Sequence, residues 1–282
     1  MNSLVTTDSL KKELKGLDFN NPETIIHKDL DTLIEHMVDY IGSIDPELRD
    51  KLIYTTFYYI INQDYLNHQQ MDYLLQTCLD PNHLFLSIGS ENDDSVFTRA
   101  FSSLVVALVL GKDRKERFLS EDTVKKTIES SMKYLLEEED TRGYVEEKGW
   151  AHSIAHGADL LDESVKHPLF DKTLASECLD TIRRCILIET AYVDEEDERL
   201  ISVIISLLEK EMNENILKDW VSELSDEVTE IRASNGFSPT FFRKNTNLNQ
   251  FLKALYFRLL FLERGTQTRK EIERILKANL LV

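Results

Sequence analysis

Apolar residues recur at three- and four-residue intervals along most of this chain, as in "LIEHMVDYI" from Leu33 and "RLISVIISLLEKEM" from Arg199. That spacing gives each segment one apolar face when wound as a helix. No stretch alternates with period two between turn signals, so the pattern predicts an all-α protein. Helices are expected near 22–42, 46–63, 68–79, 94–111, 120–137, 149–166, 171–190, 196–211, 213–232, 246–263 and 268–280, about eleven in all. Prolines mark several starts. "NPE" at Asn21 and "DPE" at Asp45 each place a capping side chain before a proline at the first helical position. "TRKE" at Thr268 has the spacing of a capping box.

Successive helix pairs recur at roughly 40–50 residues, the period of HEAT-like hairpins. The expected architecture is one array of antiparallel helical hairpins, a solenoid or curved bundle, over residues 1–282, with 1–20 a loosely attached segment. The connections after the third, fifth, seventh and ninth helices are the longer ones: "NHLFLSIGSENDD", "EEEDTRGYVEEKG", "AYVDEEDE" and "SNGFSPTFFRKN". In an up-and-down array all four emerge at the same end, which makes that end the decorated edge.

Charge sharpens this picture. The chain holds 33 basic and 51 acidic residues, a formal charge of −18. Phosphate backbones and anionic membranes are bound with Lys and Arg, so the balance argues against both as partners. Divalent metals or a basic peptide suit it better, and a small-molecule partner stays open. Spans 82–94, 137–149 and 190–198 concentrate 14 acids against Arg142 and Lys148. The opening "MNSLVTTDSLKK" lacks an apolar core of signal-peptide length. The longest uncharged run, Ala100 to Gly111, is too short to span a bilayer. Cys178 and Cys185 lie about two helical turns apart, roughly 10 Å and beyond disulfide reach. Reduced thiols and a cytoplasmic setting are the expectation; the oligomeric state is left open.

The candidate chemistry gathers in "RGYVEEKGWAHSIAHGADLL", Arg142 to Leu161. On a helix from 149, His152, His156, Asp159 and Glu163 share one polar face. Trp150, Ala151, Ile154, Ala155, Ala158, Leu161 and Val165 make the opposite, core-facing one. Three readings stay open. The polar stripe is a solvated face or a ladder tying down the preceding loop. Or His152, His156 and Asp159 hold a divalent transition metal; Ser153 stands where the His-Glu-x-x-His signature requires glutamate. Or the site is metal-free, with a histidine acting as general base or both rings lining a pocket.

"DTRG" has the pattern of a type I turn from Asp140 to Gly143, which would pose Arg142 and Tyr144 beside Trp150. Arg99, near the start of an otherwise apolar helix, must pair or bind something. Glu195, Glu196 and Glu198 precede the eighth helix as possible ligands or as an N-terminal charge cap. His167 reads as a turn residue, and Cys178 and Cys185 as core.

The central motif, with "VFTRAFSSL" and "DEEDERL" flanking it, resembles the bacterial domain-of-unknown-function family 2785 (DUF2785). The resemblance runs from about residue 30 onward and is most specific in the motif, with Ala100 standing where serine is expected. It implies a helical-repeat architecture and a bacterial source, and no mechanism. The leading expectation is a binding protein whose pocket is framed by Arg99, Arg142, Tyr144, Trp150, His152, His156 and Asp159. The alternative is a metal-dependent hydrolase in which His152, His156 and Asp159 hold the ion and Glu147 or Glu196 is the base. A third reading is a scaffold whose groove takes a basic peptide.

Overall fold

The structure, a computed structural model, describes residues 6–280. Residues 1–5, the first part of "MNSLVTTDSLKK", lie outside them, as do 281 and 282. The chain packs as two compact units, residues 1–169 and 170–282, whereas the sequence reading treats 1–282 as one array. The protein is all-α, with twelve α-helices and one two-stranded hairpin among the described residues.

In the first unit the helices are α1 (Thr7–Lys15), α2 (Leu30–Asp39), α3 (Thr55–Asn62), α4 (His68–Cys78), α5 (Ser95–Glu116), α6 (Glu121–Glu137) and α7 (Ser153–Lys166). A π-helical stretch, Glu47–Tyr54, leads into α3. The hairpin pairs β1 (Tyr144–Val145) with β2 (Gly149–Trp150). α5 is the centre of the unit and packs against α3, α4 and α7. Its 22 residues are long and apolar enough to pass for a membrane span. Burial explains the composition: Val96, Phe97, Ala100, Val105, Val106, Val109 and Leu110 are all fully or nearly fully enclosed.

The second unit holds α8 (Ala175–Ile186), α9 (Glu196–Glu209), α10 (Glu214–Asn235), α11 (Pro239–Phe261) and α12 (Thr266–Leu280). Within each unit, helices pack on their sequence neighbour and on the next but one: α5 on α7, α9 on α11, α10 on α12. The acidic connection before α9 is tied down by buried Asn247, which accepts from Tyr192 N at 2.9 Å and donates to Thr190 O at 2.9 Å.

Several boundaries differ from the expected ones for identifiable reasons. The segment expected to be loose forms α1, closed by a Thr6–Ser9 capping box, with Leu10 and Leu14 buried and Lys11 paired to Asp45 and Glu47. The "NPE" start yields only a 3-10 turn, Pro22–Thr24, before α2. At "DPE" the Asp45 carboxylate caps as expected, accepting from Glu47 N and Leu48 N. Much of "SNGFSPTFFRKN" is not loop: Ser238 caps α11 with Pro239 at its first position, seven residues before the expected start at 246. Thr268 caps nothing. It is buried inside α12, whose first free N–H groups, on Gln267 and Thr268, donate to the Glu214 carboxylate.

Candidate functional site

After α6 the chain turns inward. Glu138 is fully buried and takes a bidentate ion pair from Arg99, Nε–Oε2 at 2.7 Å and Nη2–Oε1 at 2.8 Å. Arg99 donates its other N–H groups to Leu86 O at 2.8 Å and Ser95 Oγ at 2.7 Å. Arg99 therefore fastens the loop before α5 to the end of α6, with its side chain wholly buried. Two residues on, buried Asp140 accepts from Arg142 Nε at 2.8 Å and Nη2 at 2.6 Å, and Arg142 also reaches Asp93 O at 2.9 Å. Ser153 Oγ donates to Asp140 O. Arg142 is thus clamped rather than presented to a ligand. The tight turn falls at Glu146–Lys148, inside the hairpin, and not across Asp140–Gly143.

The hairpin is held from behind by Arg49, which is wholly buried. Its guanidinium donates to Lys148 O at 2.8 Å, Trp150 O at 3.2 Å and Ser43 O at 2.7 Å. It lies 4.2 Å and 4.8 Å from the ring centres of Phe97 and Phe101 and pairs with Asp50 at 2.7 Å. Burial works against the Arg49 charge and pushes the Asp50 carboxyl up; Arg49, and more weakly His152, oppose the shift of Asp50. Gly149 makes the approach possible. Its φ of +78° suits glycine, and a Cβ there would meet Pro46 Cβ at 2.8 Å. Lys148 is tied to Asp94 at 2.7 Å.

What this scaffolding presents is aromatic. The helix expected from 149 begins only at Ser153, and His152 precedes it in the left-handed region at φ 48°. Trp150 consequently leaves the core-facing stripe assigned to it and is 41% exposed. Its ring stacks on His152, centroids 4.4 Å apart and planes 6° apart, with exposed Tyr144 edge-on at 5.0 Å. His152 and His156 follow at 5.7 Å, then His156 on Phe101 at 5.2 Å and Phe101 on Tyr54 at 6.3 Å. This relay of rings leads to a cleft of about 280 Å³ whose floor is α5 at Leu104, Ala107 and Leu108. Tyr54 and Tyr58 line one side, and Asp159 and Glu163 of α7 the other.

Of the expected polar stripe, His156, Asp159 and Glu163 do lie on the half-exposed face of α7, opposite buried Ile154, Ala158, Leu161 and Val165. Among the described residues no three His, Cys, Asp or Glu side chains gather to hold a metal ion, so His152, His156 and Asp159 are not assembled as a ligand set. Glu147 sits exposed at the hairpin tip with φ 63°. Glu196 belongs to the second unit, nearly buried, and accepts from Asp194 N at 3.3 Å. His167 makes the bend that ends α7, as expected, and is fully buried there: its Nε2 hydrogen-bonds to Asp113 Oδ2 at 3.0 Å, while Leu169 N donates to its Nδ1.

Arg49, Asp50, Tyr54 and Phe101 were absent from the expected site. Arg49 had a faint signal, as a charge between buried Leu48 and Ile53. Its partners in the hairpin, Lys148 and Trp150, lie about a hundred residues away, where no periodicity reaches.

The sequence profile described as "Protein of unknown function (DUF2785)" matches residues 84–257. The match starts well after residue 30, where the resemblance was expected to begin. No curated protein and no solved structure matches the chain.

Proposed function

The chain belongs to the DUF2785 family, and from that premise we propose that its first unit is a binding module for a small organic ligand. The ligand carries a flat ring that packs on Trp150 and Tyr144, and a polar part that reaches the cleft between α3 and α7. One observation carries the reading: a fully buried arginine, Arg49, holds by its hydrogen bonds the backbone of a tryptophan whose ring is exposed. Burying a guanidinium is costly unless it is saturated with partners, and its partners here are the carbonyls that aim Trp150. A rigid aromatic surface loses little entropy on binding. At the far end of the ring relay the cleft offers carboxylates and tyrosines for orientation. The buried thiols Cys178 and Cys185, which form no disulfide and whose pKa burial pushes up to about 12, fit a protein of a reducing, cytoplasmic compartment.

The test isolates Trp150. Replacing Trp220 with Phe leaves Trp150 as the sole tryptophan, and its emission is followed while nucleosides, indoles, aryl amines and saccharides are titrated. A true ligand shifts that emission and, at a hundredfold excess over its Kd, stabilises the protein by roughly 2.7 kcal/mol. Trp150→Ala removes the ligand-induced stabilisation, while its own unfolding shifts by no more than the aromatic stack contributes, about 0.5–1.5 kcal/mol. A library in which no compound acts in a Trp150-dependent way refutes the proposal.

A further inference from the structure

The second unit carries a surface of opposite character. From Ile231 to Leu262 the chain has five Lys or Arg and no Asp or Glu, in a protein with 51 acids. Most of this stretch is α11. One face of it buries Leu248, Phe251, Leu252, Leu255 and Leu259. The other exposes Phe242, Thr246, Gln250, Lys253, Phe257 and Phe261 at three- and four-residue spacing, a stripe along its whole length. Phe242 and Phe257 are each 52% exposed and Phe261 78%, so large rings stand in water at both ends of one helix.

Beside the stripe runs a groove of about 560 Å³ lined by residues of α11 and α12: Asn245, Asn249, Gln250 and Asn279, with Lys253 and Leu276. Its polar lining is amide-rich and free of carboxylates. An amide side chain offers a donor and an acceptor together, the same pair that each peptide unit of an extended chain presents. Asn279 donates to Asn249 at 3.1 Å and Asn249 to Asn245 O at 2.7 Å, which fixes the orientation of these groups. Arg243, Lys244 and Lys253 make no ion pair among the described residues.

We propose that the outer face of α11 and its groove with α12 bind an extended acidic segment of a partner protein. Main-chain groups of that segment pair with the asparagine and glutamine amides, carboxylates meet Lys253 and Arg243, and apolar side chains cover Phe242 and Phe257. At about 1.5 Å per residue, the 23 residues of α11 span roughly 35 Å, room for about ten extended residues. Charge complementarity selects this occupant. A nucleic-acid strand brings a phosphate at every nucleotide and continues past the patch into a protein of net charge −18. An anionic membrane makes no use of an amide groove. This inference concerns other residues than the ligand site of the first unit and stands independently of it.

The test measures fluorescence anisotropy of a labelled peptide of about ten residues alternating Glu and Leu, long enough to span the groove. Controls are a Lys–Leu peptide, labelled oligothymidylate and vesicles rich in phosphatidylserine. The full chain is compared with Lys253→Glu, and with Phe257→Ser as a second variant. Both positions are exposed, so both proteins are expected to keep parental circular dichroism. The expected result is saturable, salt-sensitive binding of the Glu–Leu peptide alone, weakened roughly tenfold or more by Lys253→Glu through like-charge repulsion and also weakened by Phe257→Ser. Absence of Glu–Leu binding overturns the proposal, as does binding that both variants retain. So does preferential binding of oligothymidylate or vesicles that the variants lose, or a self-association in sedimentation that they abolish, since each gives the face a different occupant.

Discussion

Arg49→Ala is the most searching perturbation of the first unit. The substitution removes the donor for the carbonyls of Ser43, Lys148 and Trp150 and the partner of Asp50, and empties the space between Phe97, Phe101 and the hairpin. Stranding one member of a fully buried ion pair costs about 3–5 kcal/mol; Asp50, the member left behind, is 26% exposed, which reduces that cost, and each orphaned carbonyl costs about 1–3 kcal/mol. These losses share one cavity and do not add, so the net destabilisation is expected near the lower end of the ion-pair range, about 3 kcal/mol. Arg49→Lys keeps the charge but not the planar fork that reaches three carbonyls, and is expected to lose about half as much. The assay is urea unfolding in the Trp220→Phe background, where Trp150 reports on the hairpin itself. Arg49→Ala should shift the midpoint to lower urea and, below the transition, move Trp150 emission toward that of a solvated ring. If the midpoint moves by the equivalent of less than about 1 kcal/mol, within the range of an ordinary surface change, and the emission is unaltered, Arg49 does not hold the hairpin and the case for a built aromatic ledge fails.

Two further outcomes follow from the same contacts. Gly149→Ala places a methyl 2.8 Å from Pro46 Cβ on backbone at φ +78°; a loss of about 1–3 kcal/mol is expected from the strain, together with altered Trp150 emission, and parental stability would contradict it. Acid should undock α1. Hydrogen bonds from Lys15 and Lys11 hold Glu47 below its ordinary pKa, and although burial pushes Asp45 up, the bonds from Lys11 and the backbone outweigh it and leave Asp45 lowered too. A lowered carboxylate contributes stability that is complete above the ordinary carboxylate range, around pH 4, and is lost as pH falls through the depressed values. Methyl resonances of Leu10 and Leu14 should therefore broaden or shift below that pH and hold steady above it; methyls unmoved at pH 3 would show that the clasp is not what docks the helix.

The sequence made the helical class legible because amphipathic spacing is a local property, and most helices follow it. It was less informative wherever a distant residue decides a local outcome. α12 starts before the Thr268 box because Glu214, over fifty residues away, supplies the caps. The early start of α11 was locally marked by Ser238 and Pro239, yet the glycine and exposed phenylalanines around them read as loop. Arg99 and Arg142 stand out in the sequence as charges that must either pair with local acids or meet a ligand. Only the fold shows that Glu138 and Asp140 meet that need from within the same loop, leaving the site to aromatic residues whose recruitment depends on Arg49.

His152 carries the sharpest version of this lesson. A helical wheel drawn from 149 places it one turn before His156 on a common face, the geometry for chelation. Its φ of 48° instead ends the hairpin and turns its ring onto Trp150. A non-glycine residue in this region costs roughly 1–2 kcal/mol relative to right-handed backbone, so a chain selected for stability alone has reason to place glycine there. His152→Gly separates the two roles of the position: backbone strain is relieved while the imidazole is deleted. If the ring is retained for recognition, the variant unfolds at equal or higher urea, offset by whatever the stack contributes, and loses Trp150-dependent ligand binding. If it unfolds earlier by more than about 1.5 kcal/mol, the upper value for an aromatic pair beyond its burial, the imidazole is a structural strut of the hairpin. The left-handed backbone would then be the consequence of that strut and no mark of a binding site.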